Sequence, residues 1–205
     1  MLGPRQGLLV VLSGPSGVGK GTVVLQAMGR PGEGAARLRR SVSVTTRPPR
    51  AGEAEGVDYF FCSAEAFARL VEQGRLLEWA MYLDHRYGTP TAWVDEELGK
   101  GHDVVLEIEV QGAMQVRARR PEAVLIYMLP PSWEELKRRL ALRDTDDGET
   151  QRRRLAVAQE EVTCVPRYDY VIENDSVAEA ASRLLAILEA ERWRVKRLRP
   201  GELES

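Results

Sequence analysis

The sequence has few cysteines, few histidines and no long apolar run. Its two cysteines, Cys62 and Cys164, stand far apart and in no metal-ligand spacing, which favours reduced thiols in a cytoplasmic protein. No apolar run approaches the roughly 20 residues that a membrane span requires, and no signal-type segment opens the chain. We therefore expect a cytoplasmic protein without a membrane partner.

An excess of charge of either sign is also lacking, since the 205 residues carry a formal net charge of −2. A general attraction to nucleic acid is therefore not expected, and the basic segment at residues 192–200 is explained by the dipole of a helix that ends there. Neither His85 nor His102 is assigned a catalytic role. A chain of this length is expected to form one domain, either alone or within a homo-oligomer.

Four short apolar runs are present at residues 8–12, 103–110, 123–129 and 168–174. Most of their residues are apolar without alternation, which is typical of strands that are covered on both faces. Helical patterns lie between them. Strands that alternate with helices predict an α/β fold with a parallel, doubly wound sheet.

Two segments interrupt this alternation. Residues 41–90 combine an alternating strand pattern, a turn-rich loop, a short strand and a helix, and residues 137–154 place two basic clusters around an acidic turn. We expect a single domain with inserts, divided into a core at about 1–38, 96–134 and 155–205, a lobe at about 39–95, and a second insert at about 135–154.

The stretch "GPSGVGKGT", which begins at Gly14, lies between the first apolar run and a helical pattern. Gly14, Gly19 and Lys20 match a phosphate-binding loop, in which backbone N–H groups and the positive end of the helix face an anion. A plain strand-to-helix turn is the alternative. The pattern is not followed at Gly21, where a hydroxyl residue usually contacts magnesium; Thr22 comes one place later.

The lobe supplies groups for a second anion. Arg47 and Arg50 flank two prolines, and Tyr59 and Tyr87 add hydroxyl donors. Glu78 is isolated among apolar neighbours. Taken one by one, the arginines could solubilise a loop, Tyr59 could belong to a core, and Glu78 could be a half-exposed charge at a helix end. Their joint occurrence with the glycine stretch favours a binding site.

These motifs together resemble the guanylate kinase family, whose members phosphorylate GMP. The resemblance runs from "GPSGVGKGT" through "SVSVTTRPPRAGEAEGVDYFF", "LLEWAMY" and "LEIEVQG" to "YVIEND", which is most of the chain in the family's order. It implies a P-loop nucleoside monophosphate kinase fold in which the lobe binds GMP and the second insert forms a lid. It also implies ATP and GMP as substrates, with Mg²⁺ accompanying ATP.

The resemblance assigns the acceptor site. It places Ser43, Glu78 and Glu109 on the guanine side, and Arg47, Arg50, Tyr59 and Tyr87 at the GMP phosphate with Thr89 nearby. The hydrogen-bonding groups of guanine fit this assignment, because its N1–H and NH₂ can donate to a carboxylate and its O6 can accept from a hydroxyl. Adenine would present an unprotonated N1, so we expect GMP to be preferred over AMP. Glu109 stands where the family more often has aspartate.

The resemblance also assigns the donor site. ATP is expected to contact Gly14, Pro15, Ser16, Gly17, Val18, Gly19, Lys20, Gly21, Thr22 and Asn174. A turn with helix capping explains Asn174 equally well. Magnesium is assigned to Thr22 and Glu107, although an arginine partner is the alternative for Glu107 and for Glu109.

Catalysis is assigned to Lys20 and to lid arginines that stabilise the charge of the transferred phosphoryl group, namely Arg139, Arg143 and Arg154. No general base is needed, because the second pKa of a phosphate monoester lies near 6 and the attacking oxygen is largely ionised.

Two other functions compete with this one. A sugar-phosphate kinase such as ribose 1,5-bisphosphate phosphokinase would lack the Ser43 and Glu78 pair. A non-catalytic guanylate-kinase-like module that binds phosphorylated peptides would have lost the lysine and glycines of the loop. The sequence retains all of these residues.

Overall fold

The computed structural model describes residues 6–82, 84–141 and 148–197. Within them the strands are β1 (Leu9–Ser13), β2 (Leu38–Arg40), β3 (Ser43–Thr45), β4 (Tyr59–Phe61), β5 (Leu76–Tyr82), β6 (His85–Pro90), β7 (Asp103–Glu107), β8 (Val124–Leu129) and β9 (Tyr170–Glu173). The helices are α1 (Lys20–Met28), α2 (Glu33–Arg37), α3 (Ala64–Glu72), α4 (Thr91–Gly99), α5 (Val110–Arg119), α6 (Trp133–Ala141), α7 (Gly148–Val162) and α8 (Val177–Arg192).

The first sheet is parallel, in the order β2-β7-β1-β8-β9. Its central strand β1 is buried along its whole length, as its continuous apolar sequence predicts. Since parallel strands end at the same edge of a sheet, the segments that follow β1, β7 and β9 meet there. The predicted parallel α/β core is confirmed.

Helices cover both faces of this sheet. One face packs against α1 and α8, through residues such as Val24 and Leu184. The other face packs against α4 and α5, through residues such as Leu98 and Val116. No helix among the described residues combines the length and apolarity needed to cross a membrane.

The second sheet is mixed, in the order β4-β3-β6-β5, and it lies within the insert. One of its faces packs Val44 and Leu76 against Phe67 of α3. The insert is narrower than the predicted 39–95, because β2 pairs with β7 in the first sheet and α4 packs on that sheet. The second sheet therefore occupies residues 43–90.

Strand β7 and the hairpin of the second sheet differ from the prediction. Strand β7 ends at Glu107 rather than at residue 110, because Val110 already begins α5. The hairpin of β5 and β6 was not predicted. Its first strand shows no alternation, since Leu76, Leu77 and Glu78 are all buried around an irregularity in the strand pairing.

Candidate active site

The glycine stretch forms the connection between β1 and α1, at the carboxyl edge of the parallel sheet. Gly14, Gly17 and Gly19 all have positive φ angles, of 146°, 83° and 98°. A Cβ on Gly14 would lie 2.3 Å from the backbone oxygen of Met128, so the loop can pass β8 this closely only with glycine. The loop leads straight into the first turn of α1, as a phosphate-binding loop requires.

Lys20 lies along this loop. Its Nζ donates to the oxygen of Gly14 at 2.5 Å and to that of Pro15 at 3.4 Å, and it is 3.9 Å from Oε1 of Glu109. Its side chain is 13% exposed. The ammonium group is thus held at the mouth of the loop between backbone oxygens and one carboxylate.

The back of the loop is fixed by Arg139 and Asn174, which both donate to the backbone oxygen of Val18. Asn174 Nδ2 is 2.7 Å and Arg139 Nη1 is 3.3 Å from that oxygen, and Arg139 Nη2 is 3.2 Å from the backbone oxygen of Asn174. Glu135 orients Arg139 by accepting from its Nε at 2.8 Å. The side chain of Val18 is fully buried, so only its backbone faces these groups.

The residues assigned to magnesium lie on the other side of the loop. Glu107 ends β7, and its Oε1 accepts from Arg40 Nε at 2.7 Å. A Cβ on Gly21 would lie 3.1 Å from Oε2 of Glu107, so a larger residue at this position would crowd that carboxylate. Thr22 is exposed in the first turn of α1. A carboxylate and a hydroxyl suit Mg²⁺, which keeps most of its ligands as water and substrate phosphates.

The second polar cluster lies on the face of the lobe sheet opposite Phe67. Strand pairing sets Ser43 beside Tyr59, and the rings of Tyr59 and Tyr87 are 6.0 Å apart. Glu78 is 4% exposed and its Oε1 accepts from Thr89 Oγ1 at 2.6 Å. Thr89 therefore contacts the carboxylate that the sequence assigned to guanine.

Glu78 is a buried strand residue, not a half-exposed charge at a helix end. Burial raises its pKa, and the hydrogen bond from Thr89 acts in the opposite direction. Helix α5 packs against its Oε2, since a Cβ on Gly112 of that helix would lie 2.8 Å from this oxygen. Gln115 fastens α5 to β5 by accepting from Trp79 N at 3.2 Å and donating to Trp79 O at 2.9 Å.

The two arginines of the lobe differ in their surroundings. Arg47 is 9% exposed, and its Nη2 donates to both carboxylate oxygens of Glu53 at 2.7 Å and 3.0 Å. Arg50 is exposed. Nothing in the sequence singled out Glu53, because acidic residues are common in this loop.

Glu161 of α7 is a further residue that the sequence did not indicate. It is half-buried beside Glu109 and Lys20, and burial together with Glu109 raises its pKa to about 7, whereas Lys20 acts in the opposite direction. The sequence analysis placed residue 161 in the core segment at about 155–205 and assigned it no role. Because residues 109 and 161 are far apart in the chain, no local pattern could have connected them.

The lid arginines are only partly described. Arg139 lies on α6 at the phosphate loop, and Arg154 is half-buried on α7. Arg143 falls outside the described residues. Among the described residues, no three or more His, Cys, Asp or Glu side chains are grouped so that they could hold a metal ion by themselves.

Known proteins are similar to this sequence over nearly its full length. A family model described as guanylate kinase matches residues 6–191. A guanylate kinase of Streptococcus agalactiae is 49% identical over 194 residues, which are 95% of this chain and 91% of that protein. A guanylate kinase of Streptococcus pyogenes is 48% identical over 194 residues, covering 95% of this chain and 90% of that protein. The chain belongs to the guanylate kinase family.

Solved structures agree with membership of the guanylate kinase family. The crystal structure of guanylate kinase from Anaplasma phagocytophilum has a TM-score of 0.73 and 35% identity, covering 96% of this chain and 92% of that chain. The SH3-kinase fragment of tight junction protein 3 reaches a TM-score of 0.50 at 12% identity, covering 95% of this chain and 61% of that chain. That second likeness shows the fold alone. The predicted P-loop nucleoside monophosphate kinase fold is confirmed.

Proposed function

We propose that this protein transfers the terminal phosphoryl group of ATP to GMP and produces ADP and GDP. One observation carries the proposal: a single chain of the guanylate kinase family combines the phosphate loop around Lys20 with a buried carboxylate, Glu78, on the lobe sheet. A cytoplasmic location and the absence of a nucleic-acid partner belong to the same proposal.

Glu78 selects the base. Its carboxylate accepts one hydrogen bond from Thr89 and keeps lone pairs for the N1–H and NH₂ donors of guanine. Adenine would leave this buried acceptor unmatched, at a cost on the order of 1–3 kcal/mol. Ser43 donates to O6, and Glu109 is assigned the remaining side of the base.

The phosphate of GMP lies between Arg47, Arg50, Tyr59 and Tyr87. The proximity of the two tyrosine rings and of Arg47, whose guanidinium carbon is 5.3 Å from the ring centre of Tyr59, supports this assignment. Fixed donors of this kind hold the acceptor phosphate in one orientation, which lowers the entropy lost in reaching the reactive geometry.

The ATP phosphates lie in the loop at residues 14–22, where backbone N–H groups and the start of α1 face them. When ATP binds, Lys20 gives up its hydrogen bonds to the backbone oxygens of Gly14 and Pro15 and donates to the phosphates instead. Thr22, and Glu107 through water, would hold Mg²⁺, which would neutralise phosphate charge when bound. Asn174 holds the loop in shape through Val18 and lies on the adenine side.

The lid arginines complete the site. Arg139 already lies at the loop, and Arg143 and Arg154 are assigned to the closing segment. When the lid excludes water, these cations stabilise the charge that develops during transfer, a contribution of about 10³-fold or more in related systems.

The test is a coupled kinase assay of the purified protein with ATP, Mg²⁺ and each of GMP, AMP, UMP, CMP and ribose 1,5-bisphosphate. We expect turnover with GMP and at most weak turnover with the others. Glu78→Ala should raise KM for GMP and reduce the preference for GMP over AMP. Turnover of ribose 1,5-bisphosphate instead would establish the sugar-phosphate alternative, and no transfer to any acceptor would support a non-catalytic module.

A further inference from the structure

The loop that carries both lobe arginines, between β3 and β4, is held together by acidic side chains. Glu53 Oε2 accepts from the backbone N–H of Arg50 at 2.7 Å, and Glu55 Oε2 accepts from that of Phe61 at 2.9 Å. Among these acids Glu53 alone is seen to reach a guanidinium group of the lobe in the described part of the chain. It therefore contacts both arginines of the GMP-phosphate cluster, one by its side chain and one by its backbone.

Arg47 is oriented before any ligand arrives. The carboxylate of Glu53 accepts from its Nη2, and the backbone oxygen of Pro48 accepts from its Nη1 at 2.8 Å. The ring of Tyr59 lies beside the guanidinium group. The hydrogen bond to Glu53 is the largest of the effects that raise the pKa of Arg47, and the same bond lowers the pKa of Glu53. The pair stays ionised at neutral pH, and its geometry is maintained there.

A guanidinium group has five N–H donors in one plane. The contacts of Nη2 with Glu53 and of Nη1 with Pro48 leave the remaining donors in set directions, in a guanidinium group that lies beside Tyr59 and Tyr87. A fixed donor loses less entropy on binding than an arginine that must be ordered by the ligand.

We propose that Glu53 is a positioning residue for the phosphate of the acceptor: it presents Arg47 and the backbone of Arg50 in the orientation that a phosphate monoester dianion requires. This inference rests on the proposed function and adds that the two arginines have different roles. Arg50 is exposed, and its side chain forms no ion pair with a carboxylate of the described residues, so it attracts the phosphate, whereas Arg47 supplies donors of fixed direction.

The opposite role for Glu53 is also physically reasonable, and it predicts the opposite sign. If Glu53 acted chiefly as a negative charge near the phosphate, its removal would strengthen binding of a dianion. If Glu53 positions Arg47, its removal weakens binding, because the freed guanidinium must be ordered by the ligand itself.

The experiment is isothermal titration of the wild-type protein and three variants with GMP and with guanosine, which lacks the phosphate. Glu53→Gln removes the charge and the two-oxygen contact, and Glu53→Asp keeps the charge but shortens its reach. Glu55→Gln is the matched control, since it removes a carboxylate that supports the same loop without touching Arg47. Thermal melting of each variant establishes that it is folded.

We expect both Glu53 variants to bind GMP about tenfold more weakly, the effect of losing one charge-assisted hydrogen bond, and to bind guanosine as the wild type does. Glu55→Gln should leave both affinities within about twofold of the wild type. Tighter or unchanged GMP binding by Glu53→Gln would overturn the positioning role, and so would an equal loss for GMP and guanosine. Failure of the wild type to bind GMP would overturn the proposed function itself.

Discussion

Gly112 illustrates how a single missing methyl group makes room for the carboxylate of Glu78. It lies in the first turn of α5, where an added Cβ would come 2.8 Å from Oε2 of Glu78 and 3.3 Å from the side chain of Ile108. No real Cβ approaches an oxygen so closely, so the carboxylate would have to move. The position of Glu78 therefore depends on a glycine that belongs to the core rather than to the lobe.

Gly112→Ala should raise KM for GMP by about tenfold or more, because the displaced carboxylate no longer matches the guanine edge. The substitution should not lower the free energy of unfolding through helix propensity, since alanine is favoured over glycine inside a helix by up to about 1 kcal/mol. The measurement is KM for GMP and for ATP, together with the melting temperature.

Gly34→Ala serves as the control for Gly112→Ala. Gly34 also lies in a helix, α2, and its Cβ would meet open space, so kinetics should remain those of the wild type. Unaltered KM for GMP in Gly112→Ala would show that the carboxylate of Glu78 is not the group that reads the base.

At the residue scale, the sequence was a better guide to which residues form the candidate site than to the contacts that those residues make. The phosphate loop could be predicted because its glycines, its lysine and the flanking strand and helix are all local signals. The burial of Glu78 could not, since β5 lacks alternation and nothing local distinguishes it from a solvated glutamate. Glu53 and Glu161 gain their roles from partners that only the folded chain brings close.

At the scale of elements, α7 brings a carboxylate against the phosphate loop. Glu161 lies next to Glu109 and Lys20, and burial raises its pKa from 4.5 to about 7. The folded protein therefore keeps the proton on Glu161 up to about pH 7, whereas the unfolded chain releases it near pH 4.5. Between these values the folded state binds more protons, so the contribution of Glu161 to stability falls as pH rises.

Glu161→Gln should abolish this dependence, because glutamine has the shape of the neutral acid and cannot ionise. We expect the variant to melt a few degrees above the wild type at pH 8 and close to it at pH 5. Differential scanning calorimetry at both pH values measures the effect. Glu160→Gln, an exposed neighbour on the same helix, is the control and should follow the wild type at both. A difference that is equal at pH 5 and pH 8 would contradict the ionisation argument.

The elements themselves were predictable to different degrees. Strands β1 and β8 have continuous apolar sequences and were predicted close to their observed limits, whereas only the start of β7 was. The β5-β6 hairpin was missed because an irregular pairing and three successive buried residues hide the alternation of a strand. Helix starts were within one or two residues where a hydroxyl cap is present, as at Ser63, which accepts from Ala66 N at 3.2 Å.

At the scale of the whole molecule, two sheets hold the two clusters that we propose bind the nucleotide phosphates. The parallel sheet presents the loop around Lys20, and the lobe sheet presents Arg47 with the two tyrosines. Helix α5 connects them, since it follows β7 of the first sheet and is bonded to β5 of the second through Gln115. A phosphoryl group can pass between two nucleotides when both clusters are filled in one molecule.

The most direct test of this account is isothermal titration with a bisubstrate compound in which a chain of phosphates joins adenosine to guanosine. The account predicts one molecule bound per chain, with weaker binding in Lys20→Ala and in Glu78→Ala, and much weaker binding of the analogue that carries two adenosines. Equal affinity for the two compounds, or binding that neither substitution affects, would contradict the claim that one molecule holds ATP and GMP in these two clusters.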